Sequence, residues 1–422
     1  MKVILIGAGS RGKIYTDLMT DDRFEVVAVA DPVKERREYI KEKHHIPDEL
    51  CVTDWAPLLE KEKFADAAVI ATMDKEHFEP TMAAIKKGYN ILLEKPVSSS
   101  VEECVKISNF AREMGVKILV CHVLRYSPFF RTIKNLINDG KLGDVISVHH
   151  AECVGNVHQS HSFVRGNWGN SKESSFMLLQ KSCHDMDIMQ WLIDSPCKAV
   201  QSFGSLTYFT PENAPADSPE YCTDVCPHAD TCLYNAIKLY YDDKENLWFR
   251  EAATKKVKPS DEDVMNTLKT TQYGKCVYKC NNDVVDHQVV NLEFENGAVA
   301  SFNMCAFNKG NRFIRVMGTM GEIYGDMDKN TIEYYDFTSK TTTEINACNE
   351  NLSASIVDGH GGGDPGIVNA FYKYVTEDYY GDEISEIGIS VDNHIIAFAA
   401  EKSRLERRVI ELKDYKREIG LK

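Results

Sequence analysis

The 422-residue chain has no run of about eighteen apolar residues, so no membrane-spanning helix is expected. It has no excess of positive charge either. Its 49 Lys and Arg against 64 Asp and Glu leave a formal net charge of −15, which argues against nucleic acid or an anionic membrane surface as the main partner. No signal-peptide pattern precedes the first strand, which makes the cytoplasm the expected location. Internal repeats and low-complexity tracts are missing from the sequence as well. Cysteine is not scarce: 13 of them, an odd count without an export signal, argue against a disulfide framework and for free thiols or a metal site. A hydrophobic content of 43% and a charged content of 27% are those of a soluble globular protein, and the length fits two domains.

What is present starts at once. Val3-Ile4-Leu5-Ile6 reads as a strand buried on both faces and runs into Gly7-Ala8-Gly9-Ser10-Arg11-Gly12, a G-x-G-x-x-G turn opening a helix. In such a turn the first glycine bends the chain, the second lets the backbone approach a pyrophosphate, and the third brings helix and strand close. The helix N-terminus supplies free N–H groups to the phosphates. A second strand, Phe24 to Ala30, ends at Asp31, whose carboxylate is placed for an adenosine ribose and would repel a 2′-phosphate. NAD is therefore expected over NADP, although Arg11 and Arg36 are both placed where they could reach a 2′-phosphate.

Strand and helix then alternate. Val33–His44, Glu76–Lys87 and Val101–Met114 read as helices, the last two closed by Gly88 and Gly115; Phe64–Ala71, Tyr89–Leu93 and Val116–Cys121 read as strands. These units build an α/β, doubly wound parallel Rossmann sheet over residues 1–122. Residues 123–422 change texture. Phe129–Asp139 and Ser174–Ile193 read as helices. Asp144–Cys153, Ala199–Tyr208, Val284–Glu295, Ala298–Ala306, Arg312–Met317 and Thr331–Asp336 read as strands of a large open, mainly antiparallel sheet in a C-terminal α+β domain. Residues 210–280 form a polar, cysteine-rich insertion, and Ile367–Tyr380 and Val391–Arg408 are closing helices packed on the sheet.

The order of G-x-G-x-x-G, Asp31, a strand ending Ala71-Thr72 with His77 after it, Glu94-Lys95-Pro96, and a helix carrying His184-Asp185-x-Asp187 resembles the Gfo/Idh/MocA (glucose-fructose oxidoreductase and inositol dehydrogenase) family. The resemblance implies a Rossmann domain followed by an α/β domain whose open sheet packs against another subunit, as a homodimer or homotetramer. It also implies NAD(P)-dependent oxidation or reduction of a hydroxyl of a small-molecule carbohydrate, cyclitol or glycoside. Thr72, His77 and Glu94 then join Gly7, Gly9, Ser10, Arg11, Gly12 and Asp31 at the cofactor, and Lys95 becomes the catalytic lysine.

Moving a hydride to nicotinamide requires a group that takes the hydroxyl proton as the C–H bond breaks. Lys95 follows a strand directly and precedes the fixed turn of Pro96, so its amine is aimed at the crevice beyond the carboxyl ends of the strands. His184 stands one helical turn after Gln180, so both are expected to project from one face. Where the resemblance implies an aspartate, the chain has Gln180, which orients a hydroxyl but does not stabilise an imidazolium by charge. Lys181, Asp185 and Asp187 are alternatives for that role. Arg125 is a substrate contact or a structural residue, His287 begins a strand where a half-buried histidine is ordinary, and His360-Gly361-Gly362-Gly363-Asp364 has backbone amides open to a ligand. That last segment is similar to a His-Gly-Gly segment of the family's NAD-dependent glycosidases.

Cys222-x3-Cys226-Pro-His228-x3-Cys232, followed by Cys276-x3-Cys280, offers ligands to a structural zinc or an iron–sulfur cluster, with free thiols as the alternative. Three functions stay open: an NAD-dependent dehydrogenase with Lys95 and His184 as the proton-handling pair; a glycosidase that transiently oxidises C3, eliminates and re-reduces; and an NAD-sensing regulator without turnover.

Overall fold

The computed structural model describes residues 1–347 and 361–421. Six short apolar strands form the first sheet: β1 (Lys2–Ile6), β2 (Glu25–Ala30), β3 (Cys51–Val52), β4 (Ala67–Ile70), β5 (Asn90–Leu93) and β6 (Ile118–Val120). Their order is β3-β2-β1-β4-β5-β6 and every pairing is parallel. The order reverses between β1 and β4, which opens the crevice beyond their carboxyl ends where doubly wound sheets bind ligands. Both faces are covered, so β1, β4 and β5 are apolar on both faces rather than alternating.

The helix Gly363–Thr376, from the far end of the chain, completes the cover. Its Ile367, Val368 and Phe371 pack in one buried cluster with Val3, Leu5 and Val29 of the first sheet. The C-terminal segment is thereby built into the nucleotide end of the molecule.

The second sheet has nine strands: β7 (Val145–Cys153), β8 (Cys197–Ser205), β9 (His287–Phe294), β10 (Val299–Cys305), β11 (Asn311–Gly318), β12 (Gly321–Asp326), β13 (Thr331–Asp336), β14 (Thr341–Asn346) and β15 (Ile410–Glu411). They run β14-β13-β12-β11-β7-β10-β9-β8-β15, antiparallel except for the β7–β10 pair. One face is packed by the helices Cys183–Ile193 and Ile387–Glu406. The other is open and carries exposed Phe203, Val289 and Val299.

Three regions depart from expectation. The strands β12 and β14 were not singled out in the sequence: Gly321 and Gly325 interrupt the first, and the second, TTTEIN, is a polar, exposed edge with no buried phase. The single helix expected over Ser174–Ile193 is two, Met177–Gln180 and Cys183–Ile193, separated at Lys181-Ser182. The insertion contains the helices Leu247–Thr254 and Asp261–Thr270, which share a small core of Tyr240, Phe249, Val264 and Leu268.

Candidate active site

The glycine turn is built as its spacing demands. Gly7 has φ +90°, and a Cβ there would lie 2.6 Å from the Ala71 carbonyl carbon; a Cβ on Gly12 would lie 2.0 Å from the Gly7 oxygen. Gly9 differs. The nearest atom to a Cβ there is Arg36 Nη1 at 3.7 Å, so its outer side is open, as close approach of a pyrophosphate requires. Ser10 begins the helix Ser10–Asp17 beside that opening. Asp31 is buried at the end of β2, where Oδ2 accepts the Ala8 N–H at 2.7 Å and Oδ1 the Val33 N–H at 2.8 Å. Those two bonds fix the carboxylate against the turn, and each oxygen retains a lone pair for a ribose hydroxyl. The residues present fit a nicotinamide dinucleotide.

Arg11 turns away from the adenosine side. Its Nε donates to Glu94 Oε1 at 2.9 Å, and its guanidinium pairs with both oxygens of Asp364. Tyr15 Oη donates to the same Glu94 oxygen at 2.5 Å. Burial opposes ionisation of Glu94, but Arg11, Lys95 and Tyr15 together hold its carboxyl below the usual range. The first glycine loop, the Glu94-Lys95 motif and the start of the C-terminal helix are thus tied at one buried point. His77 serves as a brace here: its Nδ1 lies 2.7 Å from the Pro96 carbonyl oxygen and its Nε2 3.1 Å from that of Thr72, whose own hydroxyl is buried without a partner among the described residues.

Lys95 leaves β5 across the crevice, and its Nζ donates to the Gln180 carbonyl oxygen at 2.8 Å. The helix break explains that bond. Because the chain unwinds at Lys181-Ser182, the Gln180 carbonyl meets the lysine rather than continuing a helix. Gln180 and His184 therefore belong to separate segments, which corrects the expectation of one continuous face. The buried Gln180 Oε1 has no hydrogen-bond partner among the described residues. His184 is buried too, its ring edge-on to His122 at 5.7 Å, and His122 is edge-on to His394 at 5.7 Å. From sequence His122 counts only as the end of the first domain. Burial, resisted by nearby Asp187, holds it below the ordinary histidine value, so its ring is neutral.

Opposite Lys95, the second sheet presents a buried charged cluster. Glu152 on β7 faces Arg312 on β11 in direct register, and the two form an ion pair. Arg312 Nε also donates to Asp185 Oδ1 at 3.0 Å, and His150 Nε2 lies 2.8 Å from the same oxygen. Burial alone would raise the Asp185 carboxyl, yet Arg312 and His150 bring it below its usual value. Lys181 Nζ is 3.4 Å from Glu152, and burial lowers its amine from the ordinary lysine value. His158, near Lys181 and Arg312, is pushed down first by burial and then by those cations. Glu152, Arg312, His150 and His158 were missed in the sequence. The available signal was charge on the buried phase of a strand, as in the alternation Val148, His150, Glu152.

Several expected substrate contacts are engaged elsewhere. Arg125 is clamped to Asp187 by two hydrogen bonds of 2.7 Å, both residues fully buried, which makes it a structural pair. His287 bonds Asp286 at 2.7 Å and Ser205 at 3.3 Å on the half-exposed end of β9. His360 lies outside the described residues. The described cysteines are all free thiols, and among the described residues no three His, Cys, Asp or Glu close to the spacing of a single ion. No described helix is long and apolar enough to cross a membrane.

Residues 1–122 match the Gfo/Idh/MocA oxidoreductase family with its NAD-binding Rossmann fold, and residues 134–379 match that family's C-terminal alpha/beta domain. The chain belongs to the Gfo/Idh/MocA family. It is similar to the oxidoreductase YteT of Bacillus subtilis (strain 168), 27% identical over 318 residues that span 71% of this chain and 70% of that protein. It is 30% identical over 201 residues to 2,7-anhydro-N-acetylneuraminate hydratase of Mediterraneibacter gnavus, across 47% of this chain and 51% of that enzyme. A levoglucosan dehydrogenase solved with NADH and levoglucosan superposes with a TM-score of 0.69 at 16% identity, covering 98% of this chain and 99% of that one, a likeness of fold. Within the family this chain is an NAD-binding oxidoreductase.

Proposed function

We propose that the chain transfers a hydride between NAD and a hydroxyl-bearing carbon of a sugar, cyclitol or glycoside, with Lys95 and His184 handling the hydroxyl proton. The observation that carries this reading is the Lys95 Nζ, fixed at 2.8 Å on the Gln180 carbonyl at the mouth of the crevice, facing a wall of buried charged and neutral bases. The dinucleotide, when bound, supplies the hydride acceptor. Lys95 takes the hydroxyl proton, and the Gln180 carbonyl holds the amine in place as it does so. The unpartnered Gln180 Oε1 and Asp185 Oδ2 are acceptors for further hydroxyls of a polyol. NAD is favoured over NADP because Asp31 stands at the ribose position and the charge of Arg11 is matched by Glu94 and Asp364.

A second reading rests on Lys181. Its burial-lowered amine, 3.4 Å from Glu152, supports removal of a proton beside a transiently oxidised carbon, followed by elimination, addition of water and re-reduction. The likeness to an anhydro-sugar hydratase supports it as well. An assay that follows reduced nicotinamide and aglycone release together, over free sugars, cyclitols and nitrophenyl glycosides, separates the readings. Reduced nicotinamide in proportion to a ketone product supports the dehydrogenase. Aglycone without net reduced nicotinamide, and only with NAD present, supports the glycosidase. NAD binding with neither product, unchanged by Lys95→Ala, points to the non-catalytic regulator.

A further inference from the structure

In the insertion two backbone segments 54 residues apart are stapled together: Tyr221 and Lys275 form an antiparallel bridge. The Cys222 N–H donates to the Gly274 oxygen at 2.8 Å and the Cys276 N–H to the Glu220 oxygen at 2.9 Å. Each of these cysteines is one residue from the bridged pair, and strand alternation puts both side chains on one face. Turns closed by the Ala229 N–H to the Cys226 oxygen and the Cys232 N–H to the His228 oxygen fold the remaining thiols back. The result is a hollow of about 30 Å³ lined by Cys222, Cys226, Cys232 and Cys276, together with Arg165.

The hollow decides between ions. Zinc, at about 2.3 Å from each sulfur, would draw four thiolates together and leave no void between them. Among the described residues no three ligands close to that spacing, and all four cysteines line the same hollow. A wider core suits such a ring.

Arg165 is the second observation. It is 2% exposed. Its Nε donates to the Lys275 oxygen at 2.9 Å, its Nη2 donates to the Tyr234 oxygen at 2.7 Å and lies 3.8 Å from Cys222 Sγ, and its Nη1 is buried without a partner among the described residues. A buried cation with an unused donor, beside four thiols, is costly unless a negative group stands near it. An iron–sulfur core on four thiolates is such a group, and it accepts N–H hydrogen bonds on its sulfurs.

We propose that Cys222, Cys226, Cys232 and Cys276 bind a [4Fe–4S] cluster, with Arg165 as its buried countercharge and hydrogen-bond donor. The cluster joins both ends of the insertion to the segment Gln159–Arg165, which follows His158 in the wall facing Lys95. The full chain, purified without oxygen, is assayed for iron, acid-labile sulfide and zinc, before and after reconstitution with ferrous iron and sulfide. Expected are about four iron and four sulfide per chain and a broad visible absorption bleached by dithionite. Cys222→Ser and Cys276→Ser lose most of the iron, whereas Cys305→Ser, on β10, keeps it. One zinc per chain without sulfide overturns the proposal, and so does a reconstituted protein without iron, or iron retained in both serine variants. The counts on the unaltered chain stand even where a variant does not fold.

Discussion

At the nucleotide end of the cleft, the charged groups are closed onto fixed partners, although the Thr72 hydroxyl is not: both Asp31 oxygens hold backbone amides, and Arg11 is divided between Glu94 and Asp364. At the substrate end, buried polar atoms stay open, among them Gln180 Oε1, Ser182 Oγ and Asp185 Oδ2. A dinucleotide is met mainly by backbone, so its site is complete in advance. The polyol proposed as substrate would be met by side chains, and acceptors waiting in a buried wall are the form such recognition takes.

The sharpest way to break that contrast is Lys95→Ala, which strikes the boundary between the two ends. A positioned proton acceptor contributes about 10²–10⁴-fold, so kcat is expected to fall about 10³-fold while NAD affinity, read by titration of protein fluorescence, stays within a few-fold. A collapse of NAD affinity would move Lys95 to the nucleotide side.

Arg125→Ala tests whether the substrate end also contains closed pairs. Removing the guanidinium leaves Asp187 as a fully buried, uncompensated carboxylate, and a loss of about 3 kcal/mol is expected in denaturant unfolding. Loss of activity with stability intact would return Arg125 to the substrate.

The two ends also differ in how far the sequence discloses them. The glycine turn, Asp31 and Lys95 lie directly after the strands β1, β2 and β5, so local pattern is enough to place them. The opposite wall is assembled from distant segments; Asp185 meets Arg312 across 127 residues. No periodicity connects those positions. The helix break at Lys181-Ser182 was hidden for a related reason, since its residues suit a helix and the Gln180 carbonyl finds its partner only on β5's side of the crevice. The polar edge strand β14 had no buried phase to detect.

His161, beside Arg165 in the insertion wall, gives a pH test. Burial, then Arg165, pushes its ring down to about 3, while its ring stacks on Phe249 at 4.0 Å. Between about pH 6.5 and pH 3 the unfolded chain binds a proton that the folded chain refuses, so stability is whole above that window and falls as pH drops through it. His161→Phe retains the stacking but removes the buried bond of 2.9 Å between His161 Nδ1 and the Tyr240 hydroxyl, so it should cost about 1–3 kcal/mol at pH 7 and flatten the fall in stability toward acid pH. An unaltered acid slope would show that other groups set it.

The smallest expected effect sharpens the comparison within the second region. Ser260 caps the helix Asp261–Thr270 in a reciprocal box: its hydroxyl accepts the Asp263 N–H at 3.1 Å while Asp263 accepts the Ser260 N–H at 3.0 Å. Ser260→Ala removes the first of these bonds, at a cost of about 1 kcal/mol to the helix. If the insertion unfolds with the two sheets, the main transition shifts by that amount. Hydrogen exchange separates this from local opening: amides of Asp261–Thr270 that quicken while those of β7 do not would show that the insertion keeps a stability of its own, held by its small core and its thiol hollow rather than by the sheet beneath it.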